Sequence, residues 1–84
     1  MCEHSKGLDI NIKANTPDGC EECLKEGTKW VHLRICLTCG HVGCCDSSQG
    51  RHATRHFQKS DHKVMAEYPG RSWKWCYIDN EYVE

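Results

Sequence analysis

Apolar and polar residues alternate most regularly over Lys29–Ile35, where Val31, Leu33 and Ile35 fall on one side and Trp30, His32 and Arg34 on the other. That period of two predicts a strand, running directly into Cys36-Leu37-Thr38-Cys39-Gly40, a knuckle whose glycine eases the turn. Before it, residues 7–19 read as an irregular lead-in ending in the turn Asn15-Thr16-Pro17-Asp18-Gly19, followed by a tight turn over Cys20–Cys23. Beyond a loop at Ser47-Ser48-Gln49-Gly50, Arg51–Lys59 is the one convincing helix. It sets His52 and His56 four apart on one face, with Ala53 and Phe57 on an adjacent apolar stripe. Lys63–Tyr68 and Ser72–Asp79, joined by Pro69-Gly70, predict a second pair of strands, and Asn80-Glu81 turns the chain into Tyr82-Val83. The expected class is small α+β, with short antiparallel strands and one main helix, in a single domain over 1–84.

Composition changes the picture by making such a domain hard to hold together. A chain of 84 residues with 38% hydrophobic residues and mean hydropathy of −0.73 has a thin core. Domains this small commonly add disulfides or metal. Eight cysteines permit either. The start, Met1-Cys2-Glu3-His4-Ser5-Lys6, lacks the apolar stretch of a secretory signal, and histidines interleaved with the cysteines have no part in a disulfide scaffold. Metal in a reducing cytoplasm is the expectation. No segment approaches a membrane span. A net charge of −1, with no clustered basic excess, argues against nucleic acid.

Twelve residues carry zinc-ligand chemistry at ligand spacing: Cys2-x-His4, Cys20-x-x-Cys23, Cys36-x-x-Cys39, Cys44, His52, His56, His62 and Cys76-x-x-Asp79. Each C-x-x-C pair brings two thiolates to one turn and reads as half a site. Twelve ligands fill three closed tetrahedral Zn2+ sites, with Asp79 the weakest member, and two sites follow even without the third. His52-Ala53-Thr54-Arg55-His56 superficially suggests a protease zinc helix, but Ala53 stands where a general-base Glu is needed. A non-enzymatic domain is expected. A thiol redox protein or zinc enzyme is the rival class, and Cys45, left over by the ligand count, is expected to be a plain thiol. His32 and His41 are expected at the surface or behind the ligands.

The order C-x-x-C, then C-x-x-C-x4-C, then H-x3-H-x5-H resembles the ubiquitin-protease-type zinc finger (UBP finger) of deubiquitinases, a cytoplasmic histone deacetylase and a ubiquitin ligase family. The chain looks most like its three-zinc variant in a small, stand-alone, bacterial-type form. The resemblance implies interleaved sites: Cys20, Cys23, Cys44 and His52 in one, Cys36, Cys39, His56 and His62 in a second, and Cys2, His4, Cys76 and Asp79 in a third, with Asp79 in place of the variant's final Cys. It further implies a pocket for the Gly-Gly carboxyl tail of ubiquitin, with Trp75, Tyr77 and Tyr82 at the matching wall positions. Period-two spacing puts Trp73 on the same face as Trp75 and Tyr77. Two positions depart from the binders: Cys45-Asp46 replaces Gly-Arg after Cys44, and Arg34 replaces an aromatic two residues before Cys36. A carboxylate repels a terminal carboxylate where a guanidinium would pair with it. The expectation is a monomer that binds an unidentified protein or peptide end, with ubiquitin itself a poor ligand.

Overall fold

The computed structural model describes residues 7–8, 10–45, 48 and 50–83. Among these residues two helices, α1 (Glu21–Glu26) and α2 (His52–Ser60), accompany five strands: β1 (Leu33–Cys36), β2 (Val42–Cys44), β3 (Val64–Tyr68), β4 (Lys74–Cys76) and β5 (Glu81–Val83). The strands form one sheet in the order β2-β1-β3-β4-β5, and every neighbouring pair is antiparallel. No helix among the described residues is long and apolar enough to cross a membrane.

Strand alternation divides the interior between the two faces of this sheet. On one face Leu33, Ile35, Val64, Ala66 and Tyr68 join Val42 and Cys76, covered by Leu8, Ile10, Ile12 and Ala14 of the lead-in. That irregular cover is pinned by Arg71, whose Nη1 donates to the carbonyls of Ile10 and Ile12, each at 2.7 Å. The opposite face presents Cys36 and Met65 to Ala53, Phe57 and Tyr77, so α2 lies there. Its approach depends on Gly43: a Cβ at that position would sit 2.6 Å from the backbone N of Ala53.

The strands are shorter than the alternation predicts. Over Lys29–Ile35, Leu33 and Ile35 do share a face, but Val31 is exposed and the strand begins only at Leu33. Trp30 is diverted to pack against Cys20, Cys23 and Cys44, while the Val31 N–H donates to Ser48 Oγ instead of a strand partner. Ser72–Asp79 likewise contracts to Lys74–Cys76. Isolated bonds extend its pairing, Glu67 N–H to Trp73 O and Tyr77 N–H to Lys63 O, before Asn80 turns in the left-handed region at φ 51°.

The turn expected over Cys20–Cys23 belongs to α1, and β2 was not anticipated at all. Cys20 caps α1 with its sulfur, which accepts from Cys23 N–H, and Gly27 closes it at φ 74°. Glu21 and Glu22 in the first turn and Lys25 in the last suit the helix dipole. A thiol also serves at the start of α2, where the His52 N–H donates to Cys44 Sγ at 3.2 Å.

Candidate metal centres and an aromatic cleft

Cys20, Cys23, Cys44 and His52, all buried, bring their ligand atoms within 4.8 Å of one another, and so do Cys36, Cys39, His56 and His62. In the first cluster the three sulfurs stand 3.3, 3.4 and 3.3 Å from His52 Nδ1. One ring nitrogen has a single position for a proton or lone pair, so three equal approaches cannot all be hydrogen bonds. They fit four ligands around a common centre. Tetrahedral zinc, with Zn–S of about 2.3 Å and Zn–N of about 2.0–2.1 Å, separates sulfur from nitrogen by about 3.5 Å. The second cluster matches as well, with Cys36 Sγ 3.5 Å from His62 Nδ1 and Cys39 Sγ 3.4 Å from His56 Nε2. It lies nearer solvent, for Cys39 is exposed.

Burial shifts the titration of ligands in both clusters. Burial pushes the Cys20 thiol up to about 12 and raises those of Cys36 and Cys44. Protein alone therefore gives these thiolates little support, and a bound dication would supply what is missing. Burial, then the neighbouring imidazoles of His41 and His62, hold His56 down at about 4, which leaves it neutral as a ligand must be. No disulfide joins the described cysteines.

A third group, Glu21, Glu22 and His41, also gathers possible ligand atoms, but its distances are of another kind. His41 Nε2 lies 2.8 and 2.9 Å from the two Glu22 oxygens, well inside the roughly 3.4 Å that tetrahedral zinc would impose on nitrogen and oxygen. This is a hydrogen-bonded pair. The buried His41 ring stacks on His56 with centroids 4.0 Å apart and planes 5° from parallel, behind the ligands and away from the surface, whereas His32 is exposed.

On the α2 face of the sheet a cleft of about 370 Å3 opens between that helix and the last strands. Trp73, Trp75, Tyr77 and Tyr82 line it with Arg34, Asn80 and, from α2, Thr54, Phe57 and Gln58. The aromatics are mutually braced: Tyr82 meets Trp73 and Trp75 edge-on at 5.5 and 5.0 Å, and Phe57 stacks on Tyr77 at 4.8 Å. Tyr82 nonetheless stays 63% exposed. Among the described residues Arg34 is the one charged member of the lining. Its natural cross-strand partner is Glu67, directly opposite in the register, yet the Glu67 carboxylate receives the backbone N–H and hydroxyl of Ser72, bonds that lower its pKa. The guanidinium instead lies 5.3 Å from the centre of the Trp73 ring and donates through Nη1 to Tyr77 Oη at 3.5 Å.

A family model described as "Zn-finger in ubiquitin-hydrolases and other protein" matches residues 20–84. The chain belongs to this zinc-finger family. Similar proteins include the NAD-dependent deacetylase sir2A of Dictyostelium discoideum, 38% identical over 98% of this chain and 14% of that one. The human BRCA1-associated protein is 36% identical over 81% of this chain and 11% of its own. Human ubiquitin carboxyl-terminal hydrolase 45 is 30% identical over 95% and 12%. The finger thus spans about a tenth to a seventh of the length of these relatives. A solution NMR structure of protein RPA1320 from Rhodopseudomonas palustris superposes with a TM-score of 0.89 at 49% identity, covering all of this chain and 81% of that one.

The finger's structure therefore brings eight of the twelve expected ligands into two clusters that fit zinc. For the remaining four, Cys76 is buried in the main core and Asp79 is exposed in the turn after β4, while Cys2 and His4 lie outside the described residues. The same holds for Asp46. Cys45 is buried, 3.6 Å from Ser48 Oγ, and belongs to neither cluster. Sequence reasoning did not anticipate the cleft wall supplied by Thr54, Phe57 and Gln58. The helical spacing held that signal, since these three lie on the side of α2 opposite His52 and His56.

Proposed function

We propose that this chain is a non-enzymatic zinc-binding module that captures the carboxyl end of a protein or peptide in its aromatic cleft, with Arg34 as the anchor. Two Zn2+ ions occupy the two clusters, and Cys2, His4, Cys76 and Asp79 close a third site. The observation that carries the reading is the disposition of Arg34, which leans past its cross-strand carboxylate into a slot walled by Trp73, Trp75, Tyr77 and Tyr82. A terminal carboxylate there gains a charge-assisted bond, and the tyrosine and asparagine groups around it can hold peptide amides. The aromatic rings that line the cleft favour a slim chain end over a bulky side chain.

Several relatives carry ubiquitin hydrolase in their names, so ubiquitin is the natural comparison ligand. Asp46 in place of the family's arginine makes it a weak one. Native mass spectrometry on protein purified without chelator should find at least two zinc ions, and three when the terminal site is filled. Binding is read from tryptophan fluorescence on titration with peptides ending in a free carboxylate or an amide. The reading requires the free acid to bind and the amide to lose most of the affinity. Arg34→Gln should lower it about 10–100-fold, as expected for a charge-assisted bond of about 1.5–3 kcal/mol. Equal binding of acid and amide would refute end capture. A low-micromolar complex with ubiquitin, lost when its terminal Gly-Gly is removed, would overturn the weak-ligand expectation and give Arg34 the missing arginine's task.

A further inference from the structure

The acidic side of α1 reaches both metal clusters without belonging to either. Glu22 and Glu26 are four residues apart, hence on one face of that short helix, and both line the crevice of about 710 Å3 between α1 and α2. His52 turns Nδ1 to the three sulfurs of the buried cluster, which leaves Nε2 to carry the ring proton once a metal is bound. Glu26 Oε1 stands 3.5 Å from that Nε2. In the other cluster His56 turns Nε2 to Cys39. Its ring is backed by His41, stacked at 4.0 Å, and His41 is clamped by both oxygens of Glu22.

We propose that Glu26 and Glu22 are positioning residues for the two metal sites, Glu26 fixing the His52 ring directly and Glu22 fixing His56 through the stacked ring of His41. A carboxylate on the far nitrogen of a ligand histidine fixes its tautomer and orientation and raises its basicity, and losing such a partner typically weakens metal affinity about 10–100-fold. Glu22 works by a different route, since it immobilises a flat surface against which the second histidine is held. One six-residue helix, which supplies Cys23 and is capped by Cys20, thereby sets ion retention at both centres. It does so at the cost of only two surface glutamates.

The test replaces zinc by cadmium in the full chain and compares wild type with Glu26→Gln and Glu22→Gln, both isosteric changes at solvent-accessible side chains. Cadmium NMR separates a three-sulfur site from a two-sulfur site by chemical shift, so each ion is followed by itself while a chelator competes for it. Glu26→Gln should weaken retention about 10–100-fold at the three-sulfur site and leave the other resonance in place. Glu22→Gln should do the reverse, and His41→Phe, which keeps a stacking ring but severs the clamp, should act at the same site as Glu22→Gln. Unchanged retention in a variant overturns the role of that glutamate. Loosening of both sites together with a matching fall in melting temperature shows a general structural effect and overturns the proposal. The inference rests on the two clusters holding metal. Were that reading wrong, the wild-type protein itself would give no cadmium resonances, an outcome distinct from variants that behave like wild type.

Discussion

Gly43→Ala adds a single methyl group to β2 and places it against a helix backbone. The new Cβ would lie 2.6 Å from Ala53 N, 2.8 Å from Ala53 Cα and 3.0 Å from the His52 carbonyl carbon. Ordinary van der Waals contact begins at about 3.4 Å, so α2 must retreat by roughly 0.8 Å, the difference between 3.4 and 2.6. These are main-chain atoms and cannot rotate aside. Overpacking of this kind costs about 1–3 kcal/mol. In a domain of this size each kcal/mol lowers the melting temperature by about 4–8 °C, so a fall of about 4–24 °C is expected. Retreat of the helix also carries His52 and His56 away from their partners, and zinc should be lost faster from both clusters. Melting by circular dichroism at fixed excess zinc, with release to a chromogenic chelator, reads the two effects separately. Gly27→Ala is the matched control. Its φ of 74° strains alanine, but the space around it is open, so it should lower the melting temperature by about 4–8 °C and leave zinc release unchanged. If Gly43→Ala melts and holds zinc like wild type, the close docking of α2 on β2 is wrong.

Cys39→Ser should abolish zinc binding at the two-sulfur cluster and unfold the knuckle, seen as a loss of one zinc by mass spectrometry. Cys45→Ser should keep the zinc count and shift melting little, because serine can bond to Ser48 where the thiol now lies; loss of zinc there would break the ligand assignment. Because burial raises the thiols of Cys20, Cys36 and Cys44, loading zinc at neutral pH should release at least these three protons. Zinc affinity should therefore drop as pH falls, and calorimetry in buffers of different ionisation enthalpy would detect the protons; a pH-independent affinity would refute the linkage. Stripping zinc with a chelator should collapse the sheet and cleft together, and a folded metal-free protein by NMR would contradict a metal-dependent fold.

Ligand chemistry was legible because it is local: two cysteines two apart, or histidines four apart on a helix, announce themselves in the chain. How the pairs group is not local. His52 and His56 share a helix face and still serve different clusters, which only the family resemblance or the folded geometry distinguishes. Helix α1 escaped notice because Glu21–Glu26 is too short to show an apolar period and takes its cap from a cysteine sulfur, outside the usual cap residues. Overlong strands came from the opposite problem. Trp30 and Val31 fit the alternation, but packing on the metal cluster and a bond to Ser48 removed them from the ladder. The role of Arg34 rests on Ser72 engaging Glu67, a contact that no spacing rule contains.

Helix α2 turns through about 100° per residue, which sets His52 and His56 about 40° apart and centres Thr54, Phe57 and Gln58 on the far side. Ala53, between the two flanks, is the contact with β2. Thr54 and Gln58 belong to neither metal cluster and to no core cluster, whereas Phe57 also packs on Met65 and on the ligand Cys36. Metal coordination, fixed by bond lengths, would hold the helix in place while these two positions of the opposite wall vary. The helical wall of the cleft thus combines two polar positions outside the core clusters with one aromatic, Phe57, that ties it to the sheet.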